Sequence, residues 1–140
     1  MNVTKILLPV DGSKHSDAAA EMAIGIAHDN NASIVLLHVR RAVPTGLGQP
    51  NADELLEYLT NGAEAVIQHY RVKLDDAKVD YLELIIGGDV GEVVANVADV
   101  EKCDLIVMGS KGKSDLEGLI LGSATHKVLH TTELPVLVVK

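Results

Sequence analysis

The sequence predicts an α/β protein built on an open parallel sheet with helices on both faces. Three observations carry this. Short runs of Val, Ile and Leu recur along the chain, and segments with helical apolar spacing lie between them. The order is therefore β-α-β-α-β-α-β-α-β, and strict alternation of that kind supplies the crossovers that parallel neighbours need. The core residues are also aliphatic, with no Phe, no Trp and 3 Tyr, which suits strands covered on both faces.

The elements follow in order. Residues 3–9 (VTKILLP) make the first strand. Ser13 or Ser16 can cap the helix that follows, whose stripe of Ala19, Met22, Ala23, Ile26 and Ala27 keeps the i, i+3, i+4, i+7, i+8 spacing. Residues 33–39 (SIVLLHV) form the second strand, and Arg40 to Pro50 (RRAVPTGLGQP) a surface loop. Leu55, Leu59, Ala63, Val66 and Tyr70 stripe the second helix, and 79–86 (VDYLELII) is the third strand. Asp89 stands before the third helix, marked by Val90, Val93, Val94, Val97 and Ala98. Residues 104–108 (DLIVM), a helix carrying Leu121, Ala124, Val128 and Leu129, and 134–139 (LPVLVV) complete the pattern. With no linker and no repeat, residues 1–140 read as one domain.

A chain of 140 residues buries roughly 68–70% of its unfolded surface, enough for a core without staples. The net charge of −8 argues against nucleic acid and acidic membranes, which need a basic face. The lone Cys103 excludes an internal disulfide and fits a reducing compartment. It precedes an apolar run and reads as a plain buried thiol. No stretch approaches the ~20 apolar residues of a membrane span, and MNVTKILLPVDGS is not a signal peptide. A cytoplasmic protein is expected.

The stretch VMGSKGKS at 107–114 ends like a Walker A loop, but the glycine required five positions before Gly112 is Val107. The chain then runs on through Ser114, Asp115, Leu116, Glu117 and Gly118 instead of opening a helix. GLGQPN in the 40–50 loop is half of a GxGxxG and links no strand directly to a helix, so ordinary loop glycines explain it better.

In doubly wound sheets, ligands bind beyond the carboxyl ends of strands. There the sequence places Pro9-Val10-Asp11-Gly12-Ser13 after the first strand and Met108-Gly109-Ser110-Lys111-Gly112 after the fourth, with Gly122-Ser123-Ala124-Thr125 further on. A phosphate chain needs inward-pointing backbone N–H groups with no side chain in the way, and Gly109 and Gly112 allow that. It also gains from a helix N-terminus, which Gly122-Ser123 opens; Ser123 can cap that helix or donate its hydroxyl to phosphate. Lys111 and Lys113 add local positive charge to an acidic chain.

The spacing of Gly109, Gly112 and Gly122-Ser123 resembles the nucleotide signature of the ATP-binding universal stress proteins. ILLPVDGS at 6–13, GGDVGEVVANVADVEKCD at 87–104, DLIVMGSKG at 104–112 and GSATHKVLHTTELPVLVV at 122–139 are similar to the family in the same order. The resemblance implies a sheet order of 3-2-1-4-5 and ATP bound with Mg2+. It places Asp11 and Val39 against the adenine with Pro9 and Val10 nearby, and Met108 and Gly109 along base and ribose. Gly112, Gly122, Ser123 and Ala124 would hold the phosphates. Lys111 stands where the family commonly has Arg or His, keeping the cation without the planar fork. The resemblance further implies a homodimer paired through the edge strand 134–139.

His126 and His130 are four apart on the last helix, but zinc needs three or four ligands and no further ligand accompanies them. His38 ends the second strand close to the presumed pocket. The acidic residues at 53–57 and 75–80 read as solvated faces. No catalytic grouping emerges and no base is named for the γ-phosphate, so at most a weak ATPase is expected. The reading is an ATP-binding, nucleotide-dependent regulatory or stress-tolerance factor acting as a homodimer. Two alternatives stay open: a slow ATPase of the same fold, and an interaction module that binds no nucleotide. The protein partner is not written in the sequence.

Overall fold

The computed structural model describes residues 2–140. Strands β1 (Lys5–Pro9), β2 (Ser33–Arg40), β3 (Tyr81–Gly87), β4 (Leu105–Gly109) and β5 (Val136–Val139) alternate with helices α1 (Lys14–Asn30), α2 (Asn51–Ala77), α3 (Val90–Val100) and α4 (Ser123–Thr131). Every strand pairing is parallel, and the sheet runs β3-β2-β1-β4-β5, as expected.

Side chains alternate across the sheet with period two, so each strand feeds two cores. Ile6, Leu8, Ile34, Leu36 and Val107 pack on the face covered by α1 and α2. Leu7, Val35, Leu37, Ile106 and Met108 point the other way, against Val94 and Val97 of α3 and Val128 of α4.

The helical stripes differ from expectation: Val90 of α3 and Leu129 of α4 are exposed, Leu121 lies before α4, and α1 and α2 differ most. The buried face of α1 is Ser16, Ala19, Ala20, Ala23 and Ala27, while Met22 is exposed. Small side chains let the helix lie close to the strands, and the larger Met is turned out. In α2 the buried residues are Ala63, Ile67, Tyr70 and Leu74, with Leu55 and Leu59 only half-buried. A helix of 27 residues is ~40 Å long, whereas the 8 residues of β2 span ~26 Å. The first turns of α2 therefore reach past the sheet.

Caps fix where the helices begin. Ser13 Oγ accepts from Ser16 N at 3.1 Å, and Asp89 Oδ2 accepts from Glu92 N at 3.1 Å. At α4 the cap is Gly122, not Ser123. Gly122 takes the extended cap conformation (φ −74°, ψ 162°), its carbonyl accepts from His126 N at 2.9 Å, and Ser123 becomes the first helical residue. The Ser123 amide is left facing outward for an acceptor from elsewhere.

Because β1 lies between β2 and β4, the connections leaving β1 and β4 part in opposite directions. A crevice opens at their carboxyl ends, where an open α/β sheet receives ligands.

Candidate functional site

That crevice is a cavity of ≈ 260 Å³. Pro9, Val10, Asp11, Val39, Met108, Gly109, Lys111, Gly112, Ser123 and Ala124 all line it. Of the expected site residues, Gly122 alone stands behind the wall, with its N–H donating to Ser110 O at 2.7 Å. Val10, Leu37, Val39 and Met108 give the cavity an apolar side. The loop from Gly109 to Gly122 gives it a polar one.

The polar side is a cradle of backbone donors. Gly112 N donates to Asp115 Oδ2 at 2.7 Å. Ser123 N and Oγ lie 3.4 Å and 3.5 Å from Asp115 Oδ1. Side chains have little room at the glycines. A Cβ on Gly122 would overlap the Asp115 carboxylate and come within 2.9 Å of Lys111 Cα. A Cβ on Gly112 would stand 2.5 Å from Asp11 Oδ2. One on Gly109 would meet the His15 carbonyl carbon at 2.9 Å.

Asp11 ties the end of β1 to this loop. Its Oδ1 accepts from Ser13 N at 2.9 Å and its Oδ2 from Lys113 N at 2.9 Å. Its carboxylate thus lines the cavity while bridging the end of β1 and the glycine loop. A turn carboxylate is drawn to free amides, and the loop presents one at Lys113. Behind it runs a chain of hydrogen bonds. Asp11 N donates to Ser16 Oγ at 3.1 Å, and Tyr70 Oη lies 2.8 Å from Ser16 Oγ and 2.7 Å from Asp17 Oδ1. Burial, reinforced by Asp17, pushes the Tyr70 phenol well above its usual range. Thr125 Oγ1 donates to Gly109 O at 2.9 Å and locks α4 to the end of β4.

Residues near α3 also line the cavity and escaped sequence reasoning: Asp89, Val90, Gly91 and Lys127. Lys127 Nζ sits 3.0 Å from Asp89 Oδ2 and 3.2 Å from Glu92 Oε1. The hydrogen bond from Lys127 holds the Asp89 carboxyl below the usual carboxylate range. Asp89 and Val90 follow β3 directly, so the strand-end rule could have found them. Ser114 and Asp115 were missed because they lie inside the spacer that the glycine pattern leaves unspecified.

Other candidates lie apart. His38 does not line the cavity; its Nδ1 donates to Val10 O at 2.8 Å. His126 and His130 are exposed and stack edge to face at 4.4 Å, and no group of three or more metal-binding side chains gathers among the described residues. Gly46 and Gly48 adopt φ of 86° and 67° and serve the turn before α2. Cys103 is buried, and burial pushes its thiol up to about 11. Among the described residues, no helix is long and apolar enough to cross a membrane.

An anion fits the glycine cradle, and a flat apolar group fits the side formed by Val10, Leu37, Val39 and Met108. The model of the universal stress protein family matches residues 2–140. The chain is 36% identical over 139 residues to universal stress protein MJ0531 of Methanocaldococcus jannaschii, covering 97% of this chain and 81% of that protein. Among solved structures, hypothetical protein MJ0577 of the same organism superposes with a TM-score of 0.90 at 30% identity, covering 100% of this chain and 97% of that one. A universal stress protein solved in complex with cAMP superposes with a TM-score of 0.73 at 24% identity, covering 99% and 98%. With a family match along its described length and a relative more than a third identical, the chain belongs to the universal stress protein family.

Proposed function

We propose that the protein binds ATP at the carboxyl ends of β1 and β4 and acts as a nucleotide-dependent regulatory factor. The observation that carries this is the cradle. Gly112 N, Ser123 N and Ser123 Oγ converge on one anion-sized seat, and a Cβ on Gly122 would fill it. The adenine would lie on the apolar side, between Val10, Val39 and Met108 with Pro9 at the edge, and the ribose near Gly109. The phosphates would enter the cradle of Gly112, Gly122, Ser123 and Ala124, with Lys111 lending its charge. One solved protein of the same fold holds cAMP, in keeping with an adenine ligand.

Mg2+ would arrive on the phosphates, where Asp11, beside Gly112, offers a carboxylate. Its oxygens are the hard donors that Mg2+ takes. His38, beside the end of β1, is committed to a backbone carbonyl, and no base is named for the γ-phosphate, so binding is favoured over turnover. A slow ATPase is the second reading, and ATP loss that persists through purification and vanishes in Ser123→Ala would select it.

The proposal includes a cytoplasmic homodimer. β5 ends the sheet, and its residues Val136 to Val139 are only half-buried in the single chain, leaving an apolar edge for a second copy. Light scattering on the purified chain reads the dimer. Calorimetric titration with Mg-ATP reads the site: saturable one-to-one binding is expected, and no heat with ATP, ADP or AMP would leave an interaction module as the reading.

A further inference from the structure

The seat that the cradle offers to phosphate is filled by the protein itself. We infer that the Asp115 carboxylate is an internal competitor for the phosphate seat and sets how strongly the site favours phosphorylated ligands. This rests on the nucleotide reading above.

The competitor is well placed. Asp115 Oδ2 takes the Gly112 amide at 2.7 Å, and its Oδ1 faces the Ser123 amide and hydroxyl at 3.4 Å and 3.5 Å. These are the donors a phosphate oxygen needs, and a carboxylate and a phosphate cannot share them. Asp115 is tethered three residues from Gly112, so its effective concentration at the seat is high, on the order of millimolar. It also adds a negative charge beside Asp11, whose Oδ2 is already held by Lys113 N at 2.9 Å. An arriving phosphate would meet both carboxylates.

Displacement is cheap for the fold. Leu116 is 75% exposed and Ile120 is 89% exposed, so the segment between Gly112 and Gly122 is not anchored by apolar burial. What holds it is polar: the carboxylate on the cradle, Asp115 N donating to Gly112 O at 3.3 Å and Lys113 N donating to Asp11 Oδ2 at 2.9 Å, the last of which survives the swing of Asp115. The volume agrees. At ≈ 260 Å³ the cavity is smaller than the roughly 300–1,000 Å³ usual for small-molecule sites, and Asp115 is part of what fills it.

Adenosine has no group to place in the cradle, so Asp115 is neutral towards it. ATP must evict the carboxylate, so Asp115 weakens it. The test titrates ATP and adenosine, at fixed Mg2+, against the full chain and its Asp115→Asn and Asp115→Ala variants. Asn keeps the shape with less charge, and Ala removes the acceptor. ATP is expected to tighten by about tenfold in Asp115→Ala, equivalent to about 1.4 kcal/mol, with Asp115→Asn between it and the wild type. Adenosine affinity stays the same in all three. Equal or weaker ATP binding in both variants, with adenosine unchanged, would overturn the competitor and leave the nucleotide site standing. Failure of every protein to bind either ligand would overturn the nucleotide reading, and the competitor with it.

Discussion

Gly122→Ala separates what the cradle does for the fold from what it does for a ligand. Gly122 sits at φ −74° and ψ 162°, a conformation alanine adopts without strain. Its new methyl would overlap the Asp115 carboxylate, the free end of a side chain that can swing out. The harder contact is Lys111 Cα at 2.9 Å, where backbone must give by a few tenths of an ångström. Overpacking of this kind costs about 1–3 kcal/mol, and the swing of Asp115 puts this site at the low end. For a chain of 140 residues the melting temperature should fall by only a few degrees, about 2–4 °C per kcal/mol. The ligand fares worse, because the methyl occupies the seat itself. A phosphate pushed off the Gly112 and Ser123 amides loses at least one charge-assisted hydrogen bond, worth about 1.5–3 kcal/mol, so ATP affinity should drop by about tenfold to a hundredfold. Adenosine should bind as before. Paired calorimetric titrations with a thermal melt of each protein decide the matter. A folded Gly122→Ala that binds ATP within about twofold of the wild type would refute the cradle as the phosphate site.

Further expectations follow from the same geometry. Gly109→Ala drives a methyl to 2.9 Å from the His15 carbonyl carbon, which is backbone, and should destabilise by about 1–3 kcal/mol in a urea titration. Gly25→Ala in α1 meets nothing within 4 Å and should stabilise by about 1 kcal/mol in the same assay. Tyr70→Phe removes the hydroxyl's bonds to Ser16 Oγ and Asp17 Oδ1, each of which keeps a second partner, and should cost about 0.5–1.5 kcal/mol. Cys103 should resist iodoacetamide at pH 8 until the protein is denatured, because its thiol is held up to about 11 from an ordinary 9.0. A raised folded value means the proton is bound more tightly in the native state. Cys103 therefore contributes stability that is full below pH 9.0 and is lost as pH rises towards about 11.

The sheet was legible because its signal is local and repeated. Ile6 to Pro9, Ser33 to Val39 and Leu105 to Met108 are apolar on both faces, a pattern that parallel strands between helical layers produce. Periodicity alone could not orient the helices. Met22 fits an apolar stripe as well as Ala20 does, and the close approach of α1 to the strands decides between them. Leu55 and Leu59 obey the α2 period yet lie where the helix outruns the sheet. The site divides the same way. Residues right after β1 and β4 were found from topology, but Lys127 enters the cavity from α4 through its pairing with Asp89, a contact between helices far apart in sequence. Asp115 was invisible for another reason: the spacing of Gly112 and Gly122 says a loop lies between them, and nothing about which of its side chains turns back into the cradle.

The central claim is an adenine nucleotide at the ends of β1 and β4, and the most direct measurement is of what the protein carries. With no Trp and 3 Tyr the chain absorbs weakly near 280 nm, so bound nucleotide would dominate its spectrum near 260 nm. Gently purified protein, denatured and resolved by anion exchange against standards, should release ATP in proportion to the chain. A protein that releases no nucleotide and does not take up added Mg-ATP would contradict the account.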